Sequence, residues 1–309
     1  MARKWLDLCT HPYSQGVPGV SPKIYRIVCG AALGSLCVII LTGALVRLTG
    51  SGLGCEDWPR CNESRFVDVS TGHTFIEQAN RLFTGVVSAS VIAAVLVSHR
   101  VRPRRRDLVV LAWSLVAGVL AQVVIGGIVV LTGLNPWANM AHFLVSLVLV
   151  ASALLLYRRA AVGSEDPWWR DVPERERPLL GVLVVSATAA IVAGTVVTAT
   201  GPHAGDENAT RFGFALESVA RVHGGLVIAT LASLVALMWR NRRSTNTEFR
   251  DSLVTLAFVG FAQAGVGYLQ YFTGVPVVLV AAHIVGAVAF FMAVLNTIYV
   301  PFPRGIGAD

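Results

Sequence analysis

Charged residues are scarce in this chain. Asp, Glu, Lys and Arg make up 14% of its 309 residues, whereas a soluble domain carries about a quarter. Hydrophobic residues reach 54%, so the composition excludes an ordinary soluble domain and indicates a membrane protein. Residues 1–23 also lack an apolar core, and we therefore expect no cleavable signal peptide ahead of the first long apolar run.

Long apolar runs recur along the chain, each close to the roughly 20 residues that a bilayer requires. The sequence predicts eight spans, at about 24–47, 75–98, 108–131, 138–157, 179–200, 215–239, 252–273 and 278–299. The expected fold is therefore an all-α integral membrane protein with eight transmembrane helices.

Basic residues are distributed unevenly between the connections. They cluster in the N-terminal arm and in loops 99–107, 158–178 and 240–251, whereas the alternate connections hold few. This alternation predicts a multi-pass protein of the cell membrane with both termini in the cytoplasm. The net charge of +7 is thus a topology signal, and we expect no nucleic-acid partner.

The sequence contains an internal repeat. Segments 121–142 and 262–283 align without a gap and share seven identities, which include the pairs Gln122/Gln263, Gly126/Gly267 and His142/His283. Segments 43–55 and 194–206 align in the same way, as do 76–90 and 216–230. We predict two tandem four-helix bundles related by a pseudo-two-fold axis along the membrane normal. The halves are 1–163 and 179–309, joined by a polar cytoplasmic linker at 164–178.

Three histidines lie inside predicted spans: His142, His223 and His283. Ionisable groups at such depth are costly and often mark function. His223 and His283 differ in predicted depth by only about 5 Å on parallel helices, so they can clamp a heme from opposite faces. Zinc is disfavoured because no third ligand lies at that depth. The alternative is that the two histidines form polar contacts between helices.

The first half offers a different set of residues at the equivalent level. His142 matches His283, while Glu77, Asn80 and Arg81 share one face of the second helix. The aligned counterpart of His223 is Phe83. An open coordination position on a metal beside a carboxylate is typical of a reaction site, whereas a closed histidine pair is typical of electron transfer.

Arginines near the outer ends of the spans are candidate ligands for heme propionates. Arg81 and Arg221 occupy equivalent positions in the repeat, and arginine forms charge-assisted pairs with carboxylates. Interfacial snorkelling explains their positions equally well.

Two cysteines, Cys55 and Cys61, lie in the outer loop 50–73. The outer side of the membrane is oxidising, which favours a disulfide between them. A loop staple and a redox-active pair both remain open.

The segment TGSGLGCEDWPRC, together with IEQANR, resembles the heme A synthase family of bacteria and mitochondria, and the resemblance covers nearly the whole chain. It implies oxidation of the C8 methyl group of heme O to a formyl group, which gives heme A for cytochrome oxidase. It also implies a heme B cofactor in the second half, with His223 and His283 as iron ligands. The cysteine pair is a feature of the family too.

The same resemblance implies that the first half binds heme O, with His142 as a ligand and Glu77 as the catalytic carboxylate. Many members of the family have a second histidine three residues after the glutamate, where this chain has Asn80. Two alternatives follow. Either His142 is the single histidine ligand, with water or Asn80 on the opposite side, or the pocket holds heme through its propionates and tail. The expected partners are the lipid membrane, heme O synthase and a quinone or other electron acceptor.

Two other functions are compatible with parts of the pattern. A b-type cytochrome that only passes electrons would share the heme but give no role to Glu77. A transporter built on parallel repeats would place its polar residues near the membrane midplane, whereas those of this chain crowd the outer ends.

Overall fold

The computed structural model describes residues 19–161 and 174–299, and these form an all-helical bundle. Its eight helices are α1 (Pro22–Leu48), α2 (Gly72–Ser98), α3 (Arg106–Leu131), α4 (Pro136–Arg159), α5 (Arg177–Thr200), α6 (Leu216–Asn241), α7 (Thr247–Phe272) and α8 (Val277–Tyr299). All eight are long and apolar enough to cross a membrane, which confirms the predicted fold class. The N-terminal arm and most of the predicted linker lie outside the described residues.

The largest difference from the predicted spans is at α7, which begins at Thr247 instead of near residue 252. Asn246 caps this helix, because its side chain accepts a hydrogen bond from the Phe249 backbone N–H. Phe249 is fully buried. The polar first turn of α7 is therefore fixed by its cap and by one buried aromatic ring, two features that hydropathy does not detect.

The Thr-Gly turns of the repeat have the same backbone conformation in both halves. Gly133 and Gly274 have φ of 61° and 80°, and each is followed by a non-glycine residue with positive φ, Leu134 at 62° and Val275 at 60°. Left-handed conformations are rare for residues other than glycine. Two consecutive left-handed residues therefore turn the chain from the third helix into the fourth in each half, as the repeat predicts.

Each helix packs against the next one in pairs: α1 with α2, α3 with α4, α5 with α6 and α7 with α8. In the first half, α1 also packs against α4, whereas the corresponding contact of α5 with α8 is much smaller. The halves meet where α8 contacts α1 and α4 and where α4 contacts α5. The pseudo-two-fold axis and the division into two halves remain predictions.

The two ends of the bundle differ. We call the end with the connections 49–71, 132–135, 201–215 and 273–276 the loop end, and the opposite end the arginine end. The second-half core lies toward the arginine end, around Leu183, Leu237, Phe249 and Leu256. Toward the loop end, no side chain is buried over residues 216–229 of α6, 261–272 of α7 or 277–287 of α8. These helices therefore do not close on one another at that level.

Candidate functional site

The three span histidines lie near the loop end, in α4, α6 and α8. His223 and His283 face each other, with ring centres 6.4 Å apart and ring planes at 82°. They lie at nearly equal distances from the starts of α6 and α8. The structure thus brings together the two residues that the sequence predicts as a ligand pair.

The position of His223 is fixed from α5. Its Nδ1 lies 2.8 Å from the carbonyl oxygen of Ala190. A carbonyl oxygen only accepts hydrogen bonds, so Nδ1 carries the proton and Nε2 keeps its lone pair. The ring lies against Gly194, where an added Cβ would stand 3.2 Å from Cε1. This is the arrangement of a metal-binding histidine oriented through its second nitrogen.

The position of His283 is fixed from α7. An added Cβ at Gly267 would lie 2.9 Å from His283 Cε1, too close for any side chain larger than hydrogen. The His283 Nδ1 is buried and has no hydrogen-bond partner among the described residues. Buried polar atoms of native proteins are nearly always paired, so this ring is oriented for a partner that the protein does not supply.

The pair fits a heme. Two metal–nitrogen bonds of about 2 Å each, with roughly 1 Å from each nitrogen to its ring centre, place the ring centres about 6 Å apart, close to the observed 6.4 Å. The surrounding helices do not close at this level, which suits a large planar group. No cluster of three or more His, Cys, Asp or Glu able to hold a metal occurs among the described residues. Two axial ligands suffice for heme iron.

The first half repeats one side of this arrangement. His142 lies against Gly126, where an added Cβ would be 3.4 Å from Cε1. Its Nδ1 is also buried without a partner among the described residues. His142 is therefore placed like His283 and has the same unsatisfied nitrogen.

In the first half, the residue that takes the place of His223 differs from the one that sequence alignment indicates. Gly43 of α1 is the counterpart of Gly194, the glycine that faces His223. In the structure Gly43 faces Asn80, whose amide nitrogen would lie 3.9 Å from an added Cβ, and Thr42 donates a 2.8 Å hydrogen bond to Asn80 Oδ1. Phe83 instead packs against the first-half core. Residues three apart share a helix face, so Asn80 takes the place that register assigns to Phe83.

Glu77 is buried, with its side chain only 5% exposed, and forms an ion pair with Arg81 at 2.6 Å. Its other carboxylate oxygen accepts a 2.8 Å hydrogen bond from the backbone N–H of Cys55. Arg81 also donates to the carbonyl oxygens of Asp57 and Arg60, both at 3.1 Å. The pair therefore anchors the cysteine loop, and Arg81 directs its guanidinium at protein acceptors.

The cysteine loop covers the first half. Cys55 and Cys61 form the predicted disulfide. Between them, Trp58 packs on Gly127 of α3, where an added Cβ would lie 2.8 Å from the indole ring. Gly127 is the neighbour of Gly126, which faces His142. One pair of glycines thus contacts both the loop and the histidine.

The outer part of this loop is held by polar contacts. Asn62 donates a 2.9 Å hydrogen bond to Asp68, and the Ser70 backbone N–H donates to the same carboxylate at 2.9 Å. Hydrogen bonds from Ser70, with smaller contributions from Asn62 and Arg65, hold the pKa of Asp68 below its usual value. The carboxylate therefore stays charged at neutral pH.

Among the described residues, the equivalent ion pair of the second half anchors no loop. Glu217 and Arg221 also form an ion pair, at 3.4 Å, but their side chains are 67% and 76% exposed. The guanidinium of Arg221 is thus exposed, whereas that of its counterpart Arg81 is bonded to Glu77 and to two loop carbonyl oxygens. Equivalent residues of the repeat have acquired different surroundings in the two halves.

The glycines that face the histidines were not singled out by sequence reasoning. Gly126, Gly194 and Gly267 each leave room for an imidazole ring. The signal was available, because Gly126/Gly267 and Gly43/Gly194 are identities of the repeat. Arg47 of α1 donates a 2.6 Å hydrogen bond to the carbonyl oxygen of Thr198 in α5 and so links these two helices.

Comparison with known proteins gives a consistent result. The COX15-CtaA family, described as cytochrome oxidase assembly protein, matches residues 26–71 and 66–295. The chain is 38% identical over 127 residues to the heme A synthase of Lysinibacillus sphaericus, covering 41% of each protein. It is 38% identical over 137 residues to that of Geobacillus kaustophilus, covering 42% of each. The chain thus spans about two-fifths of the length of these relatives.

The anchoring of the loop predicts how a Glu77→Gln variant behaves. Hydrogen bonds to charged groups contribute roughly 1.5–3 kcal/mol, so we expect the Cys55–Cys61 disulfide to be reduced about 10-fold faster once the charge is lost. The measurement is the rate of thiol labelling after addition of a membrane-impermeant reductant. Glu217→Gln is the matched control, because its carboxylate is exposed and contacts no loop, and it should react at the wild-type rate. Equal rates in all three proteins would contradict the anchoring role.

Proposed function

Because the chain belongs to the COX15-CtaA family of cytochrome oxidase assembly proteins, we propose that it is a heme A synthase, a membrane oxidoreductase that converts the C8 methyl group of heme O to a formyl group. The observation that carries this proposal is the facing pair of His223 and His283 at 6.4 Å. The heme A synthases to which the chain is similar support the same reading.

The second half is proposed to hold heme B. His223 and His283 would hold its iron, and the hydrogen bond of His223 Nδ1 to the carbonyl oxygen of Ala190 would leave Nε2 of that ring free to bind it. Exposed Arg221 is proposed to pair with a propionate. When bound, this heme supplies reversible one-electron transfer. The protein's contribution is to hold both rings in a dry environment that accommodates the planar group.

The first half is proposed to bind the substrate, heme O. His142 ligates it from one side, and Asn80 occupies the opposite side with its amide nitrogen. This nitrogen carries two N–H donors and no lone pair that could bind iron, so one face of the substrate stays open, as a reaction site requires. The disulfide loop above His142 limits the access of water to this half.

Glu77 is proposed to be the catalytic carboxylate. Its carboxylate is held by Arg81 and by the Cys55 N–H, and it lies one helical turn from Asn80. From there it can stabilise positive charge that develops at the methyl carbon, or orient the water that attacks it. In the geometry shown it also fixes the loop, so we expect binding and reaction in the first half to depend on the same side chain.

The cellular setting is proposed from the charge pattern. The arginine end faces the cytoplasm, both termini lie there, and the membrane is the plasma membrane. The halves 1–163 and 179–309 are the substrate and cofactor units. Heme O synthase is the expected supplier of substrate, and the electrons removed from the methyl group pass to a quinone or another acceptor.

A second candidate function is favoured by one observation. Asn80 stands where the second half has His223, so the first half lacks a second strong ligand. A b-type cytochrome that carries heme B alone and passes electrons in the membrane would show this loss. The two functions differ in whether heme O is converted.

Heme extraction tests the proposed function. We expect the wild-type protein, produced together with a heme O synthase, to yield heme B and heme A on mass analysis. His283→Ala should lose heme B and form no heme A, because one axial ligand is gone. His203→Ala is the matched control, since among the described residues His203 hydrogen-bonds the carbonyl oxygen of Val275 in a loop and no other group. Heme B without any conversion of heme O in the wild type would instead support the cytochrome.

The position of Asn80 predicts that a histidine placed there becomes a second ligand of bound heme O. Asn80→His should give bound heme O a second imidazole ligand and convert its spectrum to the low-spin, six-coordinate form. Phe83→His is the control: it carries the histidine that register indicates, but its side chain lies against the core, and the spectrum should not change. Low-spin heme O in Phe83→His and not in Asn80→His would show that register, and not the observed geometry, places the ligand.

The proposed catalytic role of Glu77 predicts a loss of conversion. In Glu77→Gln we expect heme B content to be unchanged and the yield of heme A to fall by at least about 100-fold, the usual lower range for a positioned acid–base group. Quantification of both hemes by mass analysis measures the effect. Normal conversion of heme O would contradict the catalytic role.

A further inference from the structure

In each half a glutamine side chain crosses from the third helix to the fourth. Gln263 of α7 donates a 2.7 Å hydrogen bond to the main-chain carbonyl oxygen of His283. Gln122 of α3 donates a 2.9 Å hydrogen bond to the carbonyl oxygen of His142. In both cases the accepting carbonyl belongs to the histidine that is the proposed ligand.

These hydrogen bonds are additional to the helical ones. The carbonyl of His142 or His283 lies within its helix, where it also faces the backbone N–H four residues later. The amide of Gln263 uses the remaining lone pair of the His283 oxygen, whereas Gln122 shares the His142 oxygen with the Ser146 hydroxyl. Inside a bilayer no water competes for such an amide, so the side chain links the two helices.

The second half makes room for its glutamine. A Cβ at Gly286 would collide with the side-chain oxygen of Gln263, so only glycine permits α8 to approach at this point. The first half has Val145 at the aligned position and uses a different solution. There Gln122 also bonds the hydroxyl of Ser146, which itself donates to the His142 carbonyl at 2.8 Å. The packing differs, yet the bond to the histidine carbonyl is kept.

One turn further along the same helix stands the glycine that faces the imidazole ring. Gln122 is followed at the fourth position by Gly126, and Gln263 by Gly267. The glutamine therefore holds the backbone of the histidine while the glycine receives its ring. Two contact points on one helix fix both the rotation of the neighbouring helix and the direction of the ring.

We infer that Gln122 and Gln263 are positioning residues that set the orientation of His142 and His283 toward the heme of each half. This inference rests on the proposed function, because it requires those histidines to be iron ligands. The orientation of axial imidazoles and the contacts around them tune the spectrum and the reduction potential of heme iron. Each glutamine is thus expected to act on the heme of its own half.

The experiment compares Gln263→Met with wild type and with Gln270→Met. Methionine keeps the length of the side chain and removes the donor. Gln270 lies two turns along the same face of α7, which controls for the loss of a glutamine from this helix. The measurements are heme B content, the electron paramagnetic resonance signature of the oxidised heme and its midpoint potential, none of which depends on conversion of heme O.

In Gln263→Met we expect heme B to bind about 10-fold or more weakly, as for other groups that orient metal ligands, with a shifted resonance signature and midpoint potential. Gln270→Met should match the wild type. If all three proteins agree in affinity, signature and potential, the inference is overturned. The proposed function alone would then stand, because the wild type still shows the bis-histidine heme.

A wild-type protein without a low-spin heme overturns the proposed function together with the inference. If Gln263→Met fails to fold, Gln122→Met provides the test from the other half. It should change the spectrum of heme O bound to His142 and leave the signature of heme B unaltered. An unaltered heme O spectrum in that variant overturns the inference as well.

Discussion

The structure depends on one constraint: inside a bilayer, a polar group must find its partner within the protein. Most polar groups at the histidine level obey it. The Nδ1 of His223 is bonded to Ala190, Asn80 to Thr42, and Glu77 to Arg81 and the Cys55 N–H. The Nδ1 atoms of His142 and His283 find no partner among the described residues, and neither do the side-chain oxygens of Gln122 and Gln270. Because a bilayer offers no water to such atoms, these rings are the places where a ligand of the protein is to be sought.

Equivalent polar residues of the sequence repeat find different partners in the two halves. In the first half, the carboxylate of Glu77 is enclosed and its charge is used to fix a disulfide-closed loop over His142. In the second half, the same pair of residues stays exposed, and two histidines face each other instead. This difference agrees with the proposal that the histidine pair holds a permanent heme cofactor. It agrees also with the proposal that His142 alone binds a substrate that must leave as product.

The sequence predicted much of this architecture. The eight spans follow from hydropathy, because a bilayer sets their length, and the Thr-Gly turns follow from the repeat. The facing of His223 and His283 follows from their equal depth in parallel helices. The disulfide between Cys55 and Cys61 follows from their position in an outer loop.

Three side-chain contacts could not be predicted from the sequence, because they depend on how the helices pack. Alignment of the halves gives register along a helix but not its rotation. Asn80 and Phe83 share a face, so only the packing against Gly43 shows which of them takes the place of His223. The anchoring of the loop by Glu77 was hidden in the same way. Its partner Cys55 is distant along the chain and offers a backbone N–H, which no side-chain pattern reveals. The role of the glutamines was hidden for the same reason, because their acceptors are main-chain carbonyls. The repeat shows that Gln122 and Gln263 are identical, but only the fold shows that each bonds the backbone of a histidine.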